Sequence, residues 1–188
     1  MSGTAFSSTV TQVDLGTTAS PQRFPLGYKV TLPATKAGAN GVDNNSGEQV
    51  WVYIYNDHGS AAFAAGNVIV RDVSAATTDA SISGSPFKLY GGTRATAATV
   101  HPAVSVLGVA QHAIASGSFG FIQCKGQCLV LNGTADITQD AALTTGGDGA
   151  GSAIDFADGA EEGVFGFAME TEASNATTFD AYINCPGA

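Results

Sequence analysis

Hydrophobic positions in this chain fall into short runs separated by turn-forming residues. The longest run, Val50-Trp-Val-Tyr-Ile-Tyr, places apolar side chains on both faces of a predicted strand, which is typical of a strand covered on both sides. Other runs alternate, or are bounded by Gly, Asn or Pro. They predict strands at residues 27–32, 48–55, 63–71, 87–90, 104–110, 121–124, 128–131, 164–169 and 179–184.

Short strands at such close spacing predict an all-β fold, a compact β-barrel or sandwich of short antiparallel strands with an extended N-terminal arm. Residues 1–26 have scattered apolar positions without a firm period, so they are expected to form the arm or an edge strand. Residues 27–188 are expected to form a single β-barrel domain, since 188 residues suit one domain plus an arm. At most one short helix is expected, within residues 97–116.

Charge is sparse and unevenly spread along the chain. Charged residues make up 12% of the sequence, and the net charge is −9. Residues 1–125 hold all seven Lys and Arg with six acidic residues, whereas residues 126–188 hold ten acidic residues and no Lys or Arg. Without a basic patch, no nucleic-acid partner is expected. The acidic third is expected to be a solvated face, with a docking or ion-binding surface as the alternative.

The N-terminus suggests no targeting to a membrane. The opening residues, Met1 to Phe6, combine neither a basic start nor an apolar stretch, so no signal peptide is expected. Apolar runs of the length that crosses a bilayer are missing from the sequence. We therefore expect synthesis in a cytoplasm and no membrane partner.

Three cysteines, Cys124, Cys128 and Cys185, are an odd number for a closed disulfide framework. On a regular strand the first two would face the same side about 13 Å apart, too far to bridge, unless Gly126 forms a bulge or turn. One interpretation is that all three are small buried hydrophobes. The alternative is a disulfide between Cys185 and one of the others. A zinc site is not expected, because no His or fourth thiol lies at ligand spacing.

Two segments carry residues that could support chemistry. Asp57-His58-Gly-Ser60 contains the residue types of a catalytic triad, but a triad needs them to converge from separate elements, so a turn is expected here. The segment from Asp148 to Asp155 is followed by three more acidic residues, Asp158, Glu161 and Glu162. It lacks the alternating carboxylates of a calcium loop, so a solvated loop is expected. We predict no catalytic residue, no metal and no cofactor.

Several segments follow one another along the chain in a fixed order. They are Val52-Tyr-Ile-Tyr-Asn-Asp-His-Gly-Ser-Ala-Ala-Phe-Ala-Ala-Gly-Asn-Val-Ile, Leu107-Gly-Val-Ala-Gln, Gly117-Ser-Phe-Gly-Phe-Ile-Gln-Cys-Lys-Gly, Ala135-Asp-Ile-Thr-Gln-Asp-Ala-Ala-Leu-Thr-Thr, Gly163-Val-Phe-Gly-Phe-Ala-Met-Glu and Phe179-Asp-Ala-Tyr-Ile. In this order they resemble the small β-barrel head-decoration proteins of tailed bacteriophages. Together they span roughly residues 48–183. The longer N-terminal segment and the three cysteines depart from the family pattern.

This resemblance implies a structural virion protein, made in the host cytoplasm and bound on the capsid exterior, often as a trimer. Such a capsid cement protein bridges major capsid protein subunits and stabilises the shell. Phe6, Phe24 and Tyr28 are candidate capsid-binding anchors, and packing on the chain's own barrel is the alternative for them.

Two other functions stay open at this point. A host-recognition module of a fibre or spike would bind surface glycans, and only Trp51 offers an aromatic for that role. A small hydrolase with an unfamiliar site would depend on His58.

Overall fold

A computed structural model describes residues 10, 12–32, 47–72, 89–97, 99–133, 136–156 and 163–188. A helix, α1 (Gln12–Leu15), and a 3₁₀ helix at Ala103–Ser105 accompany strands in these residues. The strands are β1 (Lys29–Leu32), β2 (Gln49–Asn56), β3 (Val68–Arg71), β4 (Gly91–Arg94), β5 (Val106–Val109), β6 (Phe119–Leu131), β7 (Ala142–Thr145), β8 (Ala153–Asp155), β9 (Gly166–Ala168) and β10 (Thr178–Asn184). The predicted all-β fold is confirmed.

Five of the strands close into a barrel. Their order is β2-β4-β3-β5-β6, and β6 pairs back with β2 to complete the ring. All of these pairings are antiparallel except β2–β4, which is parallel. β1 extends β2 outside the ring, and β10, β9, β7 and β8 continue from β6 as an outer sheet.

The long strand β6 belongs to both the barrel and the outer sheet. Residues 119–125 pair with β2, and residues 125–131 pair with β10. Gly126 lies at this change of partner with φ of +102°, and a Cβ there would approach the Glu48 carbonyl oxygen to 2.6 Å. Glycine is therefore required at this position. The sequence predicted two separate strands here, and the structure shows one continuous strand with an irregularity at the glycine.

Apolar side chains of the chain form two clusters. One fills the barrel and includes Val52, Ile54 and Ile122. The other lies on the outer face of β2 and β6, where Trp51, Tyr53, Phe121, Leu15 and Phe24 are buried together. β2 therefore contributes to both clusters, as its apolar pattern predicts. Burial of each large side chain contributes about 1.5–3 kcal/mol relative to exposure.

The described part of the N-terminal segment packs against that outer face. The Arg23 guanidinium contacts the buried Asp14 carboxylate at 2.7 Å, and Ala19 forms a β-bridge with Phe119. Val13 and Leu15 lie in α1, so the edge strand considered for them is wrong. Residues 1–9 and 11 lie outside the described residues. Residues 12–26 thus cover the barrel through Leu15 and Phe24.

Other predictions differ in detail. The strand expected at residues 87–90 is wrong for its described part, because Leu89 and Tyr90 are helical and β4 begins directly after them. The sequence did not predict β7 or β8. Asn-Gly is a favoured hairpin pair, but Asn132 forms a parallel bridge with Ala153. The 3₁₀ helix at Ala103–Ser105 lies within residues 97–116, as expected, but α1 and the helical residues Leu89 and Tyr90 lie outside that range, so the expectation of at most one helix is wrong. Among the described residues, no helix is both long enough and apolar enough to cross a membrane.

Candidate interaction surface

An aromatic pair, the exposed Phe167 and the half-buried Tyr182, marks the outer face of β9 and β10. Phe167 lies opposite Tyr182 in the antiparallel register. The two rings are nearly parallel, at an interplanar angle of 20°, with centroids 5.5 Å apart. Phe179, Ala181 and Ile183 alternate with Tyr182 and point into the core. Strand alternation therefore directs Tyr182 outward beside Phe167.

Apolar side chains flank this pair. Val164 is 39% exposed, Phe167 42% and Met169 36%. A shallow groove of about 330 Å³ runs beside them. It is lined by Val164, Phe165, Gly166, Phe167, Tyr182 and Asn184. We call these residues together with Met169 the β9–β10 face. Exposed apolar groups gathered in this way mark interaction sites.

Glycine in β9 keeps the face closely packed. A Cβ on Gly166 would approach the Tyr182 carbonyl oxygen to 2.4 Å, so a larger residue would push the two strands apart. Without a side chain at position 166, Phe167 stays at stacking distance from Tyr182.

One end of the β9–β10 face is acidic. Asp180 lies beside Met169, whose backbone N–H donates to the Asp180 carbonyl oxygen at 2.9 Å. The Glu170 carboxylate accepts the Asp180 backbone N–H at 2.7 Å, which fixes that carboxylate at the edge of the face. Asp140 is exposed and donates its backbone N–H to the Ala168 carbonyl oxygen at 2.9 Å. The Glu170 carboxylate and two further acidic residues, Asp140 and Asp180, thus lie at this end of the face.

At the opposite end of the face lies a positive charge, that of Lys125, which is already paired with a carboxylate. Lys125 lies opposite Asn184 in the β6–β10 register. Its ammonium contacts the Glu48 carboxylate at 3.2 Å, and the hydrogen bond that it donates to this carboxylate raises the pKa of Lys125. Both side chains are exposed, so the pair adds little stability. The net charge around the face stays negative.

The candidate anchors predicted from the sequence lie elsewhere. Phe24 is buried, with its ring 5.3 Å from that of Tyr53, and Tyr28 is half-buried and stacks on Phe24 at 5.9 Å. Both pack on the chain's own barrel, the alternative considered for them. Phe6 lies outside the described residues. Trp51 is buried in the outer cluster.

The β9–β10 face escaped sequence reasoning, although a signal was present. Residues 164–169 are apolar on both faces of a strand, like the central run of β2. In β2 the N-terminal segment covers the second face. In β9 Phe167 remains exposed on that face.

All three cysteines are buried free thiols, so the disulfide considered for them is not formed in this structure. β6 and β10 are neighbours, as that alternative required, and the Cys185 N–H donates to the Cys124 carbonyl oxygen at 2.9 Å. Burial raises the pKa of Cys124 to about 11. Burial also raises the pKa values of Cys128 and Cys185 above their ordinary range. Thiols in such surroundings are poorly reactive.

The turn at residues 57–60 does not have the arrangement of a triad. His58 Nδ1 accepts the Ala61 N–H at 3.1 Å, so the neutral ring carries its proton on Nε2. A triad needs the opposite tautomer, with Nδ1–H donating to a carboxylate. Ser116 Oγ donates to the His58 carbonyl oxygen at 2.6 Å and closes one side of a shallow depression at this turn.

The acidic loop holds its described carboxylates by local hydrogen bonds. Asp155 accepts the Thr138 N–H at 3.0 Å, and Asp148 accepts the Asn175 side-chain amide at 3.4 Å. Asp158, Glu161 and Glu162 lie outside the described residues. Over the part of the chain that is described, no three His, Cys, Asp or Glu side chains group in a way that could hold a metal ion.

The chain has a structural likeness to a solved phage protein but no match among family models or curated sequences. Among solved structures, the chain is similar to the head fibre gp8.5 N base in bacteriophage phi29, with 21% sequence identity and a TM-score of 0.47. The match covers 72% of this chain and 94% of that chain.

Proposed function

We propose that this chain is a structural protein of a tailed-bacteriophage particle, bound on the outside of the capsid, where it stabilises the shell by bridging major capsid protein subunits. The observation that carries the proposal is the β9–β10 face. Val164, Phe167 and Met169 lie close together in the sequence and are all substantially exposed. A rigid barrel that leaves such a face open suits a protein whose function is to bind a second surface.

The sequence resemblance supports the same function. The ordered segments described above follow the pattern of tailed-phage decoration proteins, and one of them, Gly163-Val-Phe-Gly-Phe-Ala-Met-Glu, includes most of the β9–β10 face. A small face can suffice on an icosahedral shell, because each copy occupies an equivalent site. If the chain assembles as a trimer, three such faces bind together, and weak contacts add to a high avidity.

Reconstitution onto capsids tests this proposal. Purified full-length protein is added over a concentration series to heads that lack it, and bound copies are counted by quantitative mass spectrometry relative to the major capsid protein. We expect saturation at a copy number comparable to that of the shell protein, together with a higher temperature of head disruption. No binding at any concentration would refute the proposal. Sedimentation of the free protein gives the oligomeric state, for which we expect a trimer.

A matched pair of variants connects binding to the face. Phe167→Ser removes an exposed ring from the centre of the β9–β10 face. Val104→Ser removes an exposed apolar side chain, 64% accessible, from the 3₁₀ helix instead. We expect head binding to fall for the first variant and to persist for the second. Equal loss in both, or in neither, would contradict the role of this face.

A second candidate function is host recognition by a fibre or spike module that binds surface glycans. The specific observation in its favour is the stacked pair of the exposed Phe167 and the half-buried Tyr182, since aromatic rings with nearby polar groups are suited to sugar binding. The two rings cover part of each other, which leaves less ring surface for a sugar. A glycan array with saturable hits that disappear in Phe167→Ser, and only a handful of copies per particle, would favour this function.

A further inference from the structure

We propose that the β9–β10 face binds a protein segment in which an apolar side chain is flanked by lysine or arginine. This inference deepens the proposed function, on which it rests in taking the segment to belong to the major capsid protein. The chemistry of the partner is inferred from two properties of the face, an open apolar groove and a border of carboxylates.

The apolar centre determines what enters the groove. Val164, Phe167 and Tyr182 line it, and the backbone beneath it is held by β9–β10 pairing at residues 166–168 and 181–183. A groove built on paired strands changes little on binding, so little conformational entropy is lost. An aliphatic or aromatic side chain that enters it would remove Phe167 from water.

The acidic border determines the charge of the partner. Asp140 and Glu170 are exposed, and Asp180 is half-buried beside Met169. Residues 126–188 contribute no Lys or Arg at all. Complementary charges fix orientation and suppress partners of like charge. Lysine or arginine next to the inserted side chain would approach these carboxylates.

Charge also argues against other occupants. A second copy that presented the same face would bring two sets of carboxylates together in a symmetric contact, which is unfavourable. Phosphate groups of nucleic acids or lipids would meet the same repulsion. A basic protein segment is the class that satisfies both the groove and its border.

A peptide titration tests the chemistry without capsids. The full chain, isotopically labelled, is titrated with a Lys-Leu-Lys-containing peptide and with the matched Glu-Leu-Glu peptide, and amide chemical shifts are followed by NMR. We expect saturable shifts confined to residues of the β9–β10 face with the basic peptide and none with the acidic one. Equal shifts with both peptides, or shifts elsewhere on the barrel, would overturn the inference.

Variants separate the two properties of the face. Phe167→Ser should weaken binding of the basic peptide by about tenfold or more. Asp180→Asn combined with Glu170→Gln should weaken it at low salt and reduce its salt dependence. The control Asp148→Asn removes an exposed carboxylate outside the face and should leave binding unchanged. A salt dependence in the double variant as steep as that of the wild type would refute the charged border.

The same variants on heads distinguish this inference from the proposed function. If the protein binds heads and the face variants bind as tightly as the wild type, the inference fails while the proposed function stands. If the basic peptide binds at the face but heads are not bound, the chemistry of the face stands and the proposed function fails. If sedimentation shows a dimer that Phe167→Ser dissociates, a second copy occupies the face and the inference is wrong.

Discussion

The Gln111 side chain pairs with the backbone of Leu129 as a strand residue would. Its amide N–H donates to the Leu129 carbonyl oxygen at 2.9 Å, and its amide oxygen accepts the Leu129 N–H at 3.2 Å. One side chain thereby satisfies two backbone groups of β6 in the half of the strand that pairs with β10. Gln111 is itself buried, with 6% exposure.

Replacement of Gln111 by leucine should therefore destabilise the protein. Gln111→Leu leaves the N–H and carbonyl of Leu129 without these partners, and we expect a loss of about 1–3 kcal/mol in the free energy of unfolding. Chemical denaturation measures this. Gln139→Leu, at an exposed position, is the control and should change stability by less than about 0.5 kcal/mol. Equal effects would show that the Gln111 pairing contributes nothing specific.

Truncation of two phenylalanines should lower the free energy of unfolding by very different amounts. Phe24→Ala removes a buried ring between Tyr53 and Phe121, and we expect a loss of about 3–5 kcal/mol and faster proteolysis of the N-terminal segment. Phe167→Ala removes an exposed ring and should cost much less. Thermal unfolding and limited proteolysis test both. A small effect of Phe24→Ala would mean that the segment is an independent arm, not part of the fold.

Stability should fall as the pH drops from about 6.5 to about 4, because of His112. Burial lowers the pKa of His112 from 6.5 to about 4, and neither ring nitrogen has a hydrogen-bond partner among the described residues. The unfolded chain binds this proton more tightly, so acid favours unfolding in that interval and has no further effect through this group below it. The full difference is on the order of 3 kcal/mol.

Comparison of two proteins isolates this effect. The free energy of unfolding is measured against pH for the wild type and for His112→Leu. The carboxylates and His101 are present in both proteins, so their contributions to the pH dependence cancel in the comparison. The pKa of His101 is also lowered by burial. Between about pH 6.5 and about 4 the free energy of unfolding of the wild type should fall more steeply than that of His112→Leu. Parallel curves would show that His112 does not titrate as its burial predicts.

Native thiols should react slowly, and all three should be free. Burial raises the pKa values of the three cysteines, so few thiolates exist at neutral pH. We expect little labelling by an alkylating reagent in the native state and three adducts by mass spectrometry after unfolding without reductant. A single adduct after unfolding would show a disulfide, the alternative that the odd number of cysteines left open.

Much of the fold could be predicted from the sequence, because the pattern of apolar and polar residues along a strand indicates which of its faces are buried. The predicted bounds of β2 and β10 lie within a residue or two of those in the structure. In β2 the pattern is clear because Trp51 and Tyr53 on one face and Val52 and Ile54 on the other are all apolar. The sequence predicted two strands in place of β6, because a glycine such as Gly126 is typical of turns. Here it is the only residue that fits where Glu48 approaches the backbone.

The β9–β10 face was harder to predict from the sequence, for a physical reason. The sequence shows that a strand is apolar on both sides, but not whether anything covers the second side. Phe24, a candidate anchor for which packing on the barrel was the alternative, is buried, whereas Phe167, which the sequence did not single out, is exposed. What decides between them is the path of residues 12–26 over β2 and β6, which depends on long-range contacts such as that between Asp14 and Arg23.

The continuity of β6 has a consequence for cooperativity. Thirteen residues run without a break from the barrel into the outer sheet, so neither part can detach without disrupting the strand that belongs to both. Amide hydrogens in both halves of β6 should therefore exchange with solvent at one common, slow rate set by global unfolding. A mechanical force applied at the β9–β10 face would be transmitted through β10 to β6 and distributed over the whole barrel.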